Sequence, residues 1–182
     1  MIKPSPDQIV DQSEVLIRPP VPGDCRAFVR AVRGSRTLHA SWIAPKPGSS
    51  AEFSRYVKRF DRERHFGYLV IHKPSGGIVG AINIYDVVRG PFQSGTLGYY
   101  AMASFAGKGM MSAGMHLVLR RAFGELSLHR LEANIQPANA ASIALVRKCG
   151  FVCEGLARRL LKVRGRWRDH ERWAILAEDF RE

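Results

Sequence analysis

The chain has 182 residues, of which 46% are hydrophobic and 24% charged, the balance of an ordinary soluble domain and a length that suits one domain better than two. This composition excludes a disordered chain, a collagen and a disulfide-stapled miniprotein, and the longest apolar runs, such as residues 140–146, fall well short of the ~20 residues a membrane helix needs. The outlier is charge: 28 Lys and Arg against 16 Asp and Glu give +12, which favours anionic partners such as nucleic acid, a ribosomal surface, a membrane headgroup or a phosphorylated cofactor.

Taken in chain order, residues 1–13 are polar, lack the apolar core of a signal peptide, and are expected to form a flexible segment ahead of a single domain over 14–182. Residues 14–18 read as a strand stopped by Pro19-Pro20, and Asp24 as the cap of a helix to about residue 33, with Ala27, Phe28 and Ala31 on one face. Pro45 to Ser50 reads as a loop. Ser49 or Ser50 then opens a second helix, in which Phe53, Tyr56, Val57 and Phe60 recur at helical spacing. Strands follow at 67–72, 78–85 and 96–102, the first two joined by the turn Pro74-Ser75-Gly76-Gly77.

Past Gly107 the period changes, and Met111, Met115, Leu119, Ala122 and Leu126 mark one face of a long helix. A strand at 130–135 comes next, then a helix capped by Asn139 and ended by Gly150. Residues 151–163 and 167–176 close the chain as a strand pair turning at Arg164-Gly165. The order β-α-α-β-β-β-α-β-α-β-β predicts an α/β (α+β) fold, a mixed sheet of about seven strands with helices on both faces.

Three widely spread cysteines, Cys25, Cys149 and Cys153, suit a reducing cytoplasm. Cys149 and Cys153 have no second pair or nearby His to complete a tetrahedral set, so no metal site is expected. The segment Ser104 to Met110 joins a strand to the long helix, and Gly107 and Gly109 let backbone N–H groups approach an anion at the helix N-terminus. It is neither a P-loop, since Gly109 follows Lys108 where Ser or Thr is needed, nor a dinucleotide fingerprint, since Ser112 stands where the third glycine belongs. On this segment alone, a helix that merely starts with glycines remains open.

The loop keeps specific company. Leu97-Gly98-Tyr99-Tyr100, Gly107-Lys108-Gly109, His129-Arg130-Leu131-Glu132-Ala133-Asn134, Asn139-Ala140-Ala141-Ser142 and Lys148-Cys149-Gly150-Phe151 occur in one order, followed by Glu154-Gly155 and Trp167-Arg168-Asp169-His170. The series, spanning about residues 14–178, strongly resembles the GNAT acetyltransferase superfamily. It is most similar to the RimJ/RimL-like ribosomal-protein-alanine N-acetyltransferases, with Val87 to Phe92 closest to the RimJ type.

The resemblance implies a single-domain GNAT fold and acetyl-CoA as cofactor. It implies that backbone groups near Tyr100, Ala101 and Met102 pair with the pantetheine arm. The loop of Ala106, Gly107, Lys108, Gly109, Met110 and Met111 is implied to hold the pyrophosphate. By the same resemblance, Asn139 contacts the pantetheine and Ser142 helps to protonate the departing thiolate, although both also suit the cap of one helix.

The chain departs from the family at Ser104, at Ala113 and on the strand after Glu154-Gly155. There Arg158-Arg159-Leu160-Leu161-Lys162 holds no carboxylate, leaving the usual base open. An α-amine with a pKa near 7.7–8.0 needs little help, whereas a lysine near 10.4 needs much. Glu132 is the first candidate base, with His170 and Asp169 behind it; an ion pair with a neighbouring Arg is an equal reading of Glu132.

Cys149, at a helix end, argues against a covalent acyl-cysteine route and for direct transfer in a ternary complex. The expected activity is acetylation of a protein N-terminal amine, with a ribosomal protein as a candidate acceptor. A small-amine acetyltransferase and a non-enzymatic ribosome- or RNA-associated protein are the alternatives. The basic hairpin 155–172 is the expected ribosome or RNA contact, with no membrane partner; homodimerisation is left open.

Overall fold

The computed structural model describes residues 14–42 and 47–181; the segment 1–13 and part of the loop before the second helix lie outside these. In order, the elements are β1 (Val15–Arg18), α1 (Cys25–Gly34), α2 (Arg36–His39), α3 (Ser50–Lys58), β2 (Phe66–His72), β3 (Ile78–Val88) and β4 (Ser94–Ala101). They continue with α4 (Met110–Phe123), β5 (Arg130–Ile135), α5 (Ala140–Lys148), β6 (Val152–Val163) and β7 (Arg166–Leu176). The strands form one seven-stranded sheet in the order β1-β2-β3-β4-β5-β7-β6. Every neighbouring pair is antiparallel except β4 and β5, so the sheet is mixed, as expected.

Both faces of the central strands are covered, which is why β2 reads as a nearly unbroken apolar run. Alternate residues divide between two cores. Tyr68 and Val70 join Ile82, Ile84 and Leu131 under Met115, Val118 and Leu119 of α4. Leu69 and Ile71 join Ala81 under Phe28 of α1 and Phe53 and Tyr56 of α3. Helix α4 approaches closely because Gly114 faces β2: a Cβ there would stand 2.6 Å from Val70 Cγ2.

Ser49 is the cap of α3, its hydroxyl accepting from Glu52 N at 3.3 Å. Asp24 departs from its expected role. It stands at the start of α1 but makes no side-chain cap hydrogen bond, because its carboxylate is engaged by Arg18 at 2.6 and 2.7 Å and by Val21 N–H at 2.8 Å. Burial alone would raise the Asp24 pKa; the Arg18 and Val21 bonds outweigh it and hold the carboxyl below its usual range. This contribution to stability is present above the unfolded carboxylate pKa and is lost as pH falls through the lower folded value.

Helix α2 was not expected. It forms because Ser35 interrupts the turn after α1, its hydroxyl donating to Ala31 O at 2.7 Å while accepting from Ala103 N at 2.8 Å. The long helix stops at Phe123, before Leu126, and α3 stops at Lys58, before Phe60. Phe60 nevertheless packs edge-on to Tyr56 at 4.8 Å.

Gly114→Val should destabilise the fold by about 1–3 kcal/mol through overpacking, read as a lower urea midpoint. Pairing it with Val70→Ala should return part of the loss, because the two changes meet at one contact.

Candidate active site

The site begins where two strands part. β4 and β5 pair from Ser94↔Arg130 to Leu97↔Ala133 and no further. Beyond Leu97, β4 continues beside β3 through Gly98↔Asn83 to Ala101↔Gly80, while β5 continues beside β7 to Ile135↔Glu171. Met102 N donates to Val79 O at 2.7 Å. Since bonded and non-bonded pairs alternate along an antiparallel ladder, Tyr100 and Met102 turn their peptide groups to β3, and Tyr99 and Ala101 turn theirs to the gap. Of the three residues expected to offer backbone groups there, Ala101 does so on its N–H side only, for its carbonyl accepts from His39 Nε2 at 2.7 Å. That bond places the imidazole proton on Nε2.

The strand leads into the glycine loop. Gly107 and Gly109 adopt φ of +75° and +76°, the left-handed region that favours glycine. A Cβ on Gly107 would meet nothing within 4 Å, so there the backbone conformation rather than crowding calls for glycine. Gly109 is the residue before α4, and its carbonyl accepts from the N–H groups of Ser112 and Ala113. The amides ahead of them, through Met110 and Met111, are those a helix start leaves without an intrahelical acceptor. Left-handed turns and a helix N-terminus together make an anion-binding concavity. Lys108 lies beside it, its ammonium donating to Ser104 O at 2.9 Å, with the Phe105 ring 5.7 Å away.

On the α4–α5 side of the gap, Tyr99 and Ser142 share a hydroxyl–hydroxyl hydrogen bond of 2.6 Å. Ser142 sits in the first turn of α5, and Asn139 Oδ1 accepts its N–H at 3.2 Å. The cap reading of Asn139 is therefore realised, and its Nδ2 end remains the group with a donor to offer. The Ser142 hydroxyl does not serve the helix end. Burial pushes the Tyr99 phenol well above its usual pKa, so it stays protonated. The alternation of β4, which turns Tyr99 and Tyr100 to opposite faces, is the sequence signal for the place of Tyr99 here.

Cys149 is buried at the end of α5. Burial pushes its thiol up to about 11. His116 Nδ1, 3.9 Å from the sulfur, is not available as a base, since it donates to Ser112 O at 3.0 Å.

The opposite face of the parting strands is polar. The burial of β5 alternates, with Leu131, Ala133 and Ile135 in the core, so Arg130, Glu132 and Asn134 face the other way. Glu132 accepts from Arg130 Nε at 2.8 Å and lies 3.3 Å from Arg172 Nη2, while Arg130 also forms a two-pronged pair with Glu154. The Glu154 and Glu132 bonds hold the Arg130 guanidinium above its ordinary pKa, and Arg130 in turn lowers Glu154. On β3, Tyr56 donates to Asn83 Oδ1 at 2.9 Å and Asn83 Nδ2 donates to Tyr85 Oη at 2.8 Å. The Tyr85 ring lies across Gly98, where a Cβ would come within 2.8 Å of it.

The two weaker base candidates are structural here. Asp169 accepts the Arg159 N–H at 2.8 Å, pinning a bulge in which Arg159 takes φ +50°. His170 is 2% exposed and its Nδ1 donates to Arg168 O at 3.0 Å. That bulge, between Ala157 and Leu161, breaks the simple alternation expected of the basic hairpin, yet Arg158, Arg159, Lys162, Arg164, Arg166 and Arg168 are all exposed. Trp167, among these cations, is 60% exposed. Among the described residues, no group of three or more His, Cys, Asp or Glu could hold a metal, and no helix is long and apolar enough to cross a membrane.

Residues 14–152 match the family model described as "Acetyltransferase (GNAT) domain". The probable N-acetyltransferase YjcK of Bacillus subtilis is 33% identical over 72% of this chain and 73% of its own length. The [ribosomal protein uS5]-alanine N-acetyltransferase of Escherichia coli is 36% identical over 57% of this chain and 53% of its own. The solved structure of Mycobacterium smegmatis RimJ in complex with CoA-disulfide superposes with a TM-score of 0.84 at 28% identity, covering 92% of this chain and 84% of that one.

Alkylation of the folded protein with iodoacetamide near pH 8 should label exposed Cys153 and leave Cys149 protected, as peptide mapping would read; early labelling of Cys149 would contradict its buried, high-pKa setting. Asn139→Ala should cost about 1 kcal/mol of stability through the lost cap, measurable in denaturant.

Proposed function

The chain belongs to the GNAT acetyltransferase family, and from that premise we propose that it acetylates the α-amine of a protein N-terminus. It is an acyltransferase, an N-acetyltransferase that uses acetyl-CoA. Acetyl-CoA supplies an acetyl group already activated as a thioester. The residues present fit it: a strand edge that turns the peptide groups of Tyr99 and the N–H of Ala101 to the gap suits an amide-bearing arm, and it ends at a left-handed glycine turn and helix N-terminus that suit a pyrophosphate.

In this reading the amides of Gly107, Lys108, Gly109, Met110 and Met111, with the turn at Ala106, hold the pyrophosphate. The peptide groups of Tyr99 and Ala101, and Asn139 Nδ2, hold the pantetheine. Ser142 Oγ–H gives a proton to the leaving thiolate and regains the one that the newly acylated nitrogen releases, while Tyr99, kept a neutral phenol by burial, holds the serine hydroxyl in place. Glu132 receives the acceptor ammonium and takes its proton: a carboxylate offers about four lone-pair sites, and Arg130 and Arg172 leave part of them free. The two guanidiniums hold that carboxylate in place between acceptors.

The observation that carries this function is the single gap between β4 and β5, with a proton donor pair on one face and a carboxylate on the other. The likeness to the uS5-alanine enzyme of Escherichia coli supports a protein N-terminus, which for a +12 chain is a ribosomal one. The exposed basic hairpin is then a contact for the ribosome or its RNA. The cytoplasm, where Cys25, Cys149 and Cys153 stay reduced, is the matching compartment.

Acetyl-CoA-dependent thiol release against a panel of N-terminal peptides and small amines tests the proposal. Peptides should turn over, with the rate rising as pH approaches 8 and the α-amine loses its proton. Ser142→Ala should lower kcat by about 100-fold or more and leave calorimetric CoA affinity unchanged. Turnover confined to free small amines would overturn the protein-acceptor reading.

A further inference from the structure

The polar chain on β3 has a direction. Tyr56 O–H donates to Asn83 Oδ1, and Asn83 Nδ2–H donates to Tyr85 Oη. The positive charge of the Arg59 guanidinium acts on the Tyr85 hydroxyl as well. Asn83 Nδ2–H occupies one lone pair of the phenol oxygen, and the Arg59 charge disfavours a second, cationic donor there, so what the Tyr85 hydroxyl offers a ligand is its own proton. Burial raises the Tyr85 pKa, so this proton is present at neutral pH. Asn83 is 1% exposed, which fixes the middle of the chain and leaves Tyr85 at its outer end.

The ring that carries this donor lies over Gly98, the first residue of β4 past the last β5 pair. Register places it further. Tyr85 pairs with Thr96, and Thr96 pairs with Glu132, so Tyr85 and Glu132 occupy one row of the same sheet face, two strands apart. That separation is about 10 Å between Cα atoms.

We propose that the Tyr85 hydroxyl donates a hydrogen bond to the first peptide carbonyl of the acceptor, and thereby selects N-terminal peptides over polyamines. The inference rests on the function proposed above and adds its specificity determinant. Glu132 marks the ammonium end of the acceptor; Tyr85, a donor, requires an acceptor oxygen one residue further on. An N-terminal peptide has that carbonyl. A protonated polyamine presents only N–H donors at the corresponding position and leaves the Tyr85 proton unpaired, which costs binding free energy. Gly98 is part of the device, because any side chain there would displace the ring from the rim of the gap.

Tyr85→Phe removes the hydroxyl and keeps the ring. Steady-state kinetics would compare an N-terminal peptide, the same peptide with its first carbonyl reduced to methylene, and spermidine. Calorimetry would follow CoA and peptide binding. The expected result is about a tenfold loss of kcat/KM on the intact peptide, carried mainly by KM, with spermidine within about twofold of wild type and CoA affinity unchanged. The wild-type protein should lose about the same factor on the reduced peptide, and Tyr85→Phe should be indifferent to the reduction.

Equal losses on peptide and spermidine would overturn the proposal, because the hydroxyl would then serve the thioester or the fold. So would unchanged peptide kinetics, or a wild-type protein that does not distinguish the reduced peptide. If the wild-type protein turns over spermidine and no peptide, the function proposed above falls first, and this inference with it.

Discussion

The structure depends on one short ladder, the four-residue parallel pairing of β4 with β5. A backbone polar group away from water needs a partner, and inside a sheet the neighbouring strand normally supplies it. Here β4 runs on past Leu97 with β3 alone on its flank, so its outer edge is a row of donors and acceptors in the middle of a seven-stranded sheet rather than at its border. An extended, amide-bearing molecule laid along that edge completes the sheet as a strand would. The remaining parts of the site are arranged around this gap.

The sheet divides the chemistry between its faces. On the α4–α5 face lie two hydroxyls, Tyr99 and Ser142, bonded to each other beside an apolar core that keeps the phenol neutral. On the other face lie groups that orient charge, with Glu132 between Arg130 and Arg172, and the Tyr56–Asn83–Tyr85 chain beside it. The β4 residues alternate between the two, so adjacent Tyr99 and Tyr100 serve opposite environments. Ser35 and His39 tie the α1–α2 elbow to the end of β4 through Ala103 N and Ala101 O. They fix how far that strand strays from its neighbour. The buried thiol of Cys149, by contrast, is a packing residue whose surroundings disfavour the thiolate.

Charge is spent in two ways. Around β5 it is compensated, since Arg130 binds two carboxylates at once and holds Glu154 ionised. Along the β6–β7 hairpin the cations Arg158, Arg159, Lys162, Arg164, Arg166 and Arg168 are exposed, with Trp167 among them. The first pattern builds a fixed local field; the second gives a surface that attracts anionic partners at range.

Much of this was legible in the residues themselves. Local signals set the elements: apolar period 2 or 3.6, the Pro74–Gly77 turn, the Ser49 and Asn139 caps, and the glycines that require positive φ. Those placed the loop and the helix start, and the ordered motifs from Leu97 to His170 identified the family. Tertiary contacts decided which partner each polar side chain found. Asp24 was an obvious cap until Arg18, brought alongside by the chain's turn at Pro19-Pro20, took its carboxylate. Ser142 and Asn139 looked equally suited to one helix end, and only the packing of α5 against β4 sent the hydroxyl to Tyr99. Helix periods and turns are properties of neighbours in sequence, so the sequence alone determined them. The gap between β4 and β5, and the rows that put Tyr85 and Glu132 on one face, follow from long-range strand register, which only the folded chain decides.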